Sequence, residues 1–390
     1  MTTSAGKRIL ILGSGFGGLT AANLLRRNLS PEHRIVVVDK KEFFMMGLVN
    51  LWILSGIRSL EDSKVALNKL ENKEITFLND EVTAIDVLQK SIRTRSNNKL
   101  EYDYLIIALG AELAAEDIRG FISNGGFNLY DAEQIPKLRE KIVALKNQRI
   151  AICITNIPYK CPPAPYEASL LINDILVKNG TRDSIDIDFY TPSAIALPVA
   201  GPKLSQDIVN LLNDNHINFH PLHKLKEVVD KKIIEFENGT KTNYDLLIGI
   251  PPHKVPTVIK SSGLIKEQQN WIDVDKFSLK TKYENVFAIG DVTEIKIDQT
   301  AIIPKAGIFA EGQAKSVSYQ IIDEITNQSH NVKFDGRGFC FMEIGNKKAG
   351  FLAADLYDVT GPSTRLEVPS EESYRKKLDF ERSRVIEWLL

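Results

Sequence analysis

The chain has 390 residues, of which 43% are hydrophobic, and its formal net charge is −1 at pH 7. This length is too great for a single hydrophobic core, so we expect two or three domains. The near-neutral charge argues against nucleic-acid binding, and no apolar run approaches the roughly 20 residues of a membrane-spanning helix. The first strand follows the N-terminus closely, so no signal peptide is expected. Three cysteines are too few for a disulfide scaffold, so any oxidised pair should be functional.

The first predicted element is a dinucleotide-binding unit. Arg8–Leu12 is a continuous apolar run, typical of a buried parallel strand, and a glycine-rich turn and a helical stretch follow it. A second apolar strand, Ile35–Val38, ends in Asp39, which is placed to bind ribose hydroxyls. The glycines let a pyrophosphate approach the helix N-terminus, where free N–H groups bind anions. The alternative is a glycine-rich turn that binds no ligand. The strand, glycines, helix, second strand and acid occur in the expected order, which disfavours this alternative.

Two later segments favour FAD over NAD at this site. Tyr102–Gly110 and Asn285–Asp291 are short apolar strands that end in glycine. They resemble the segments where the chain leaves and re-enters the FAD domain of flavoproteins with two dinucleotide-binding domains. This resemblance makes Asp291 a candidate ligand of the FAD ribityl chain. The alternative for Asp291 is an ordinary acid that caps the next helix.

The segment Ile150–Ala168 lies where a second nucleotide-binding loop would be expected. It runs from a buried strand into a helix, but its loop contains Cys161 and prolines instead of glycines. Prolines supply no backbone N–H groups for a pyrophosphate. The next strand ends in Tyr190, Thr191 and Pro192 instead of an acidic residue. We therefore expect no NAD(P)H binding in the usual mode.

Cys161 is the candidate entry point for electrons. It precedes a helix N-terminus and follows Lys160, and both features should lower the pKa of the thiol. A buried structural cysteine is the alternative and stays open. Cys340 is distant in sequence, so pairing with Cys161 requires the C-terminal part to fold back over the flavin. Cys153 lies in the middle of a strand and is expected in the core.

Four motifs carry a specific resemblance. KCPPAPYEA, NVFAIGDVTEI, IPKAGIFAEGQA and GFCFMEIG look like the family of sulfide:quinone oxidoreductases and flavocytochrome c sulfide dehydrogenases. The resemblance implies that Cys161 and Cys340 form a redox disulfide, which sulfide attacks. Electrons would pass through FAD to a membrane quinone, and sulfane sulfur or polysulfide would be released. The resemblance also implies that Lys305 lies near the flavin. The alternative is a lysine in a solvated loop. Glu167 would handle protons, unless it only complements the helix dipole.

The expected fold class is α/β, with two Rossmann-like FAD/NAD(P)-binding-type domains and a C-terminal membrane- or acceptor-facing part. Residues 1–115 and 276–330 would form the FAD-binding domain, 116–275 a second Rossmann-like domain without a nicotinamide fingerprint, and 331–390 a C-terminal domain with an amphipathic tail. The candidate catalytic residues are Cys161, Cys340 and Glu167. The candidate cofactor-binding residues are Gly13, Gly15, Phe16, Gly17, Gly18, Asp39, Lys40, Val82, Ala108, Gly110, Gly290, Asp291, Lys305 and Gly307. Phe339, Phe341 and Phe351 are weaker candidates for an acceptor pocket, and no metal site is expected.

Two departures from the family pattern matter. Many members have a third cysteine, but the corresponding stretch, 119–131, has none, so FAD should be bound non-covalently. The segment TPSAIALPVAGP also lacks the histidine that some members have near the sulfide pocket.

The electron acceptor and the location rest on weaker signals. The chain has no CxxCH haem motif, which favours quinone over a cytochrome. The basic amphipathic tail suggests peripheral membrane contact, on the cytoplasmic side, while docking of the tail on its own core is the alternative. The oligomeric state stays open, and a homo-oligomer is one option. Three other functions also stay open: a type II NADH:quinone dehydrogenase-like enzyme, a flavoprotein subunit that donates to a cytochrome, and a non-catalytic sulfur carrier.

Overall fold

The computed structural model of the chain describes residues 6–299 and 301–390. The expectation of no signal peptide rests partly on residues 1–5, which lie outside the described residues. The α-helices of the described part are α1 (Phe16–Asn28), α2 (Val49–Ser55), α3 (Ile135–Ala144), α4 (Ala164–Lys178), α5 (Gly201–Asp214), α6 (Thr257–Lys260), α7 (Gly307–Thr326) and α8 (Glu371–Leu389). None of these helices has the length and apolarity that crossing a membrane requires.

The strands fall into three groups along the chain. The first group is β1 (Arg8–Leu12), β2 (Arg34–Asp39), β3 (Phe43–Phe44), β4 (Val65–Ala66), β5 (Thr76–Asn79), β6 (Val82–Asp86), β7 (Ser91–Thr94), β8 (Lys99–Glu101), β9 (Tyr104–Ile107) and β10 (Glu112–Leu113). The second group is β11 (Phe127–Asn128), β12 (Arg149–Ile154), β13 (Asp186–Tyr190), β14 (Ile217–His220), β15 (Leu225–Asp230), β16 (Ile233–Phe236), β17 (Lys241–Asn243), β18 (Leu246–Ile250) and β19 (His253–Lys254). The third group is β20 (Ile272–Asp273), β21 (Val286–Ala288), β22 (Thr293–Glu294), β23 (Arg337–Gly345), β24 (Lys348–Asp355) and β25 (Ser363–Leu366).

The first parallel sheet has the order β21-β9-β1-β2-β5. Its central strands are apolar and buried because helices and neighbouring strands cover both faces. The strand β21 comes from late in the chain and pairs with β9, so the chain leaves this sheet and returns to it. The carboxyl ends of β1, β9 and β21 therefore meet at one edge, which is where open α/β sheets bind ligands.

The second parallel sheet has the order β11-β18-β12-β13-β14. Two such sheets confirm the predicted α/β class. The strand β16 lies outside this sheet, in a separate antiparallel sheet with β15 and β17. The helix that follows the cysteine loop begins at Ala164, and the prolines there suit the first turn of a helix.

The C-terminal part is an antiparallel sheet of β23, β24 and β25 with the helix α8. The strand β23 packs against α4, and α8 packs against β24, β23 and α1. Tyr374, Trp388 and Leu389 of α8 are buried, so the tail helix docks on its own core. The packing therefore matches the docked alternative, because these apolar side chains cannot also enter a lipid surface.

Candidate active site

The glycine-rich turn leaves an open cradle at the start of α1. Gly13 has a φ of +98°, and a side chain at Gly18 would collide with the Gly13 carbonyl. A Cβ atom at Gly15, in contrast, would meet no atom within 4 Å, and no side chain caps the helix there. The free N–H groups of α1 thus face open space, which fits a pyrophosphate. Asp39 accepts hydrogen bonds from the Ser14 amide and hydroxyl, both at 2.7 Å, and so holds this turn.

The other predicted cofactor residues surround the same sheet edge or support it. Ala108 and Gly110 follow β9, and Gly290 follows β21. The Phe16 ring packs on Gly307 at the start of α7, and Gly17 lies against Ile289, so α1 and α7 are held together. Val82 is buried in β6, and the exposed side chain of Lys40 forms an ion pair with Glu81 at 3.7 Å.

Lys305 is buried beside Asp291. Its Nζ donates to the carbonyl oxygens of Asp291, at 2.7 Å, and Thr293, at 3.0 Å, and lies 3.4 Å from the centre of the Trp271 ring. Burial lowers the pKa of Lys305 to about 8, although Asp291 raises it. Burial also raises the pKa of Asp291, while Lys305 and Lys160 lower it. The alternative of a solvated loop lysine is therefore wrong.

The Cys161 loop and the strand of Cys340 meet in a buried site. Cys161 precedes α4, Cys340 lies in β23, and α4 packs against β23. Burial raises the pKa of the Cys340 thiol, and negative charge on Cys161 would raise it further. Cys153 is fully buried in β12, as expected, and burial raises the pKa of its thiol as well.

The expectation that Cys161 has a lowered pKa is wrong. Burial raises the pKa of Cys161 to about 12, and the Glu167 carboxylate raises it while Lys377 lowers it. Lys160 does not compensate, because its ammonium group lies over the Tyr130 ring, 5.6 Å from its centre, and burial lowers its own pKa. Loss of water around the sulfur therefore outweighs the helix dipole.

A buried group of three charges adjoins the cysteines. Glu167, Glu343 and Lys377 are each 2% exposed, and Lys377 forms ion pairs with Glu167 and, at 2.8 Å, with Glu343. The Trp52 indole N–H donates to Glu343 at 2.6 Å. Burial lowers the pKa of Lys377, but the two carboxylates raise it more. Burial raises the pKa of Glu167 to about 7, and the Glu343 carboxylate raises it further, although Lys377 lowers it.

The sequence analysis missed Lys377, Glu343 and Trp52 as site residues. One signal was available for Lys377, because it lies three residues after Tyr374 and four before Glu381, on the stripe of α8 that is buried. A charged residue on the apolar stripe of a helix indicates a buried partner. Glu343 and Trp52 gave no comparable signal.

The three predicted acceptor aromatics form one cluster. The ring centres of Phe339 and Phe351 are 5.3 Å apart, and Phe341 lies 5.4 Å from Phe351. The Phe380 ring of α8 packs on Phe339 at 5.4 Å. Phe339 and Phe351 also line a cavity of about 660 Å³ between α7 and the C-terminal sheet. Lysine and arginine residues lie around this cavity: Lys315, Lys333, Arg337 and Arg365.

Comparisons with known proteins agree with this geometry. Residues 7–153 and 190–310 match the family model "Pyridine nucleotide-disulphide oxidoreductase". The mitochondrial sulfide:quinone oxidoreductase of Dictyostelium discoideum is 31% identical over 347 residues, which are 85% of this chain and 74% of that protein. The chain belongs to the sulfide:quinone oxidoreductase family. The sulfide-quinone reductase of Aquifex aeolicus is 29% identical over 364 residues, 90% of this chain and 84% of the relative.

A solved structure extends the match to the fold. The crystal structure of the Aquifex aeolicus sulfide:quinone oxidoreductase has a TM-score of 0.86 and 25% sequence identity, and the match covers 97% of this chain and 90% of that one. Members of the family are FAD-dependent oxidoreductases, so the predicted enzyme class and the predicted cofactor are confirmed. The open cradle at α1 and the half-buried Asp291 at the end of β21 fit FAD.

Proposed function

We propose that the chain oxidises sulfide at the Cys161–Cys340 pair and transfers the electrons, through FAD, to a quinone. The observation that carries this proposal is the packing of α4, which Cys161 precedes, against β23, which contains Cys340, so that two cysteines distant in sequence lie in one region of the fold. The cysteine site adjoins the first sheet, whose glycine-rich edge fits FAD. The names of the Dictyostelium and Aquifex relatives supply the donor and the acceptor.

The cysteines would act as a disulfide. Hydrosulfide attacks one sulfur, the S–S bond breaks, and the products are a persulfide on one cysteine and a thiolate on the other. Because burial raises the pKa of both thiols, the departing thiolate needs a proton. Glu167, with a pKa of about 7, is protonated in about half of the molecules at neutral pH and would supply this proton.

FAD, when bound, would accept two electrons from the sulfur site and release them to the acceptor. Gly13, Gly15 and Gly18 would hold its pyrophosphate at the N-terminus of α1, and Asp291 would bind its ribityl chain. Lys305 would place a positive charge near the flavin, where it stabilises an anionic reduced ring. No sequence feature supplies a covalent FAD linkage, so we expect non-covalent binding.

The cavity lined by Phe339 and Phe351 is our candidate acceptor site, because its apolar floor suits a quinone ring. Basic residues around the cavity are balanced by Glu311, Asp335 and Asp355, so peripheral membrane association on the cytoplasmic side is proposed from the quinone acceptor and not from the charge of this surface. The tail helix is a poorer candidate, since its apolar residues are buried.

Anaerobic flavin spectroscopy tests the donor. FAD-loaded protein should bleach rapidly with sulfide and much more slowly with NADH, because the second nucleotide loop offers prolines instead of N–H groups. Cys161→Ser and Cys340→Ser should each keep bound FAD and lose sulfide-driven bleaching. Cys153→Ser is the matched control, because Cys153 is buried in β12 outside the proposed pair.

Rapid bleaching by NADH without bleaching by sulfide would favour a type II NADH dehydrogenase instead. Bleaching that survives in Cys161→Ser would contradict the disulfide mechanism. Steady turnover of sulfide with decylubiquinone would exclude a mere sulfur carrier, and reduction of cytochrome c without quinone reduction would favour a cytochrome-coupled subunit.

A further inference from the structure

The backbone of the Cys161 loop is held by side chains that come from elsewhere in the second domain. The Tyr130 hydroxyl donates to the Lys160 carbonyl oxygen at 2.7 Å and lies 3.4 Å from the Cys161 carbonyl oxygen. The Lys160 amide donates to His253 Nε2 at 3.3 Å. The Cys161 amide donates to the Lys305 carbonyl oxygen at 2.6 Å. The peptide unit before the cysteine thus has partners on both its N–H and its C=O.

The two His253 contacts define one tautomer. Nε2 accepts from the Lys160 amide and must be unprotonated, so the proton lies on Nδ1, which donates to the Pro251 carbonyl oxygen at 2.9 Å. Burial lowers the pKa of His253 to about 3, so the ring stays neutral and keeps this tautomer over the physiological pH range. Its ring also packs edge-on against Tyr130, with the centres 5.7 Å apart. Tyr130 and His253 therefore support each other as well as the loop.

Cys161 needs such support because its backbone is left-handed. Its φ is +49°, a region that residues with a Cβ atom enter only at a cost. Such conformations persist when surrounding contacts over-determine them, and they cluster at functional sites. Here the contacts act on the residue before the cysteine and leave the thiol without a direct hydrogen bond from Tyr130 or His253.

We propose that Tyr130 and His253 are positioning residues that hold Lys160 and Cys161 in the conformation that presents Cys161 to Cys340. This inference rests on the proposed sulfide oxidation at the cysteine pair and deepens it. Tyr130 follows β11 of the second sheet, and His253 lies in β19, which pairs with β10 and follows β18 of that sheet, so the two residues fix the loop relative to both. Cys340 is held independently, in the C-terminal sheet. The distance between the sulfurs then depends on both anchors.

Three substitutions in the FAD-loaded protein test the two anchors separately. Tyr130→Phe removes the hydroxyl and keeps the ring. His253→Asn keeps a donor near the Nδ1 position for Pro251 but has no acceptor that reaches the Lys160 amide. His253→Gln keeps an acceptor near the Nε2 position and should behave like the wild type. Tyr244→Phe is the control for loss of a buried hydroxyl, because Tyr244 donates to the Asp230 carbonyl oxygen at 3.0 Å, away from the cysteines.

Two measurements report on the loop and on the cysteine pair. Amide hydrogen exchange in the segment 158–164 should be about tenfold faster in Tyr130→Phe and His253→Asn, because the closed loop loses one anchor. The equilibrium constant for Cys161–Cys340 disulfide closure, measured by thiol trapping in glutathione buffers, should fall about tenfold, which is about 30 mV for a two-electron couple. Tyr244→Phe and His253→Gln should leave both values unchanged.

Unchanged exchange in this segment in both Tyr130→Phe and His253→Asn would overturn the anchoring. Faster exchange with an unchanged closure constant would overturn the positioning role, since the anchors would then only stiffen a loop. A wild-type protein that forms no disulfide would instead refute the cysteine pair of the proposed function. Hydrogen exchange would still report, in that case, whether the two side chains hold the loop.

Discussion

The charges of three buried side chains explain why the groups at the cysteine site tend to keep their protons. Two buried carboxylates, Glu167 and Glu343, share the ammonium group of Lys377, so the group keeps a negative charge unless it binds a proton. Removal of water and this excess charge together favour neutral forms. The raised pKa of Glu167 and of both thiols follows from the same cause. The site is therefore built to retain protons, and the incoming hydrosulfide, not a resting thiolate, is the nucleophile in the proposed reaction.

The left-handed backbone of Cys161 predicts an unusual order of stability at this position. Cys161→Gly should be more stable than Cys161→Ala by about 1 kcal/mol, because glycine adopts a positive φ without a steric penalty. Denaturant unfolding of the two FAD-loaded variants measures the difference. At Cys153, in the strand β12, the same pair should show the opposite order, with alanine more stable. A Cys161→Ala variant as stable as Cys161→Gly would contradict the left-handed conformation.

The side chains of β23 alternate between its two faces, so Cys340 and the neighbouring aromatic residues lie on opposite faces of the strand. Successive side chains of a strand point to opposite faces, so Cys340 faces away from Phe339 and Phe341. The face with the aromatic side chains also carries Glu343, packs on Phe380 of α8 and borders the cavity, while Cys340 lies on the opposite face. One strand thus contributes to the proposed donor site and to the proposed acceptor site.

The helix α8 closes the protein near the cofactor cradle. The Trp388 ring packs edge-on against Phe16, at 5.2 Å, and Phe44, at 5.7 Å, and its carbonyl oxygen accepts from Asn23 at 3.2 Å. Phe16 in turn packs on Gly307 at the start of α7. The tail therefore supports the junction of α1 and α7 from outside.

This packing predicts that Trp388→Ala lowers the free energy of unfolding by about 3–5 kcal/mol, the usual cost of removing a buried indole. Unfolding of the FAD-loaded protein by denaturant measures it, and FAD retention should weaken in parallel. Leu390→Ala is the control, because Leu390 is 63% exposed and should change stability little. A Trp388→Ala variant that keeps its stability but no longer binds anionic vesicles would indicate that the tail helix contacts the membrane.

At the scale of the whole molecule, the two proposed half-reactions share the strand β23 but differ in the elements that pack around it. The sulfur site joins α4, β23 and α8, whereas the candidate acceptor cavity lies between α7 and the C-terminal sheet. The FAD cradle lies at the edge of the first sheet. Such a separation predicts that the half-reactions can be impaired one at a time.

Stopped-flow measurements of the two half-reactions test this separation. Phe339→Leu should slow reoxidation of the reduced flavin by quinone about tenfold, because the cavity loses an aromatic wall, and leave sulfide-driven reduction unchanged. Cys340→Ser should abolish sulfide-driven reduction, while quinone still reoxidises flavin that dithionite has reduced. Each variant serves as the control for the other. Equal slowing of both half-reactions by Phe339→Leu would argue against a separate acceptor site.

The sequence predicted the parts of the site that depend on local order. The strand, glycines, helix and acid at 8–39 lie next to one another in the chain, so their pattern predicts a nucleotide cradle without knowledge of packing. The prolines before α4 likewise argue against a nicotinamide loop. The pKa of Cys161 was predicted wrongly, because helix dipole and neighbouring charge are visible in the sequence but burial is not.

The sequence by itself thus determined the α/β class, the FAD cradle and the absence of a second glycine-rich loop, since short-range periodicity and turn chemistry encode all three. Only the tertiary structure decided the electrostatics of the sulfur site. Lys377 reaches Glu167 across 210 residues, and His253 reaches the Lys160 amide across 93. Contacts of such separation arise from the packing of α8 and β19 on the rest of the molecule, and no local pattern specifies them. The same packing removes water from Cys161 and so sets its protonation state.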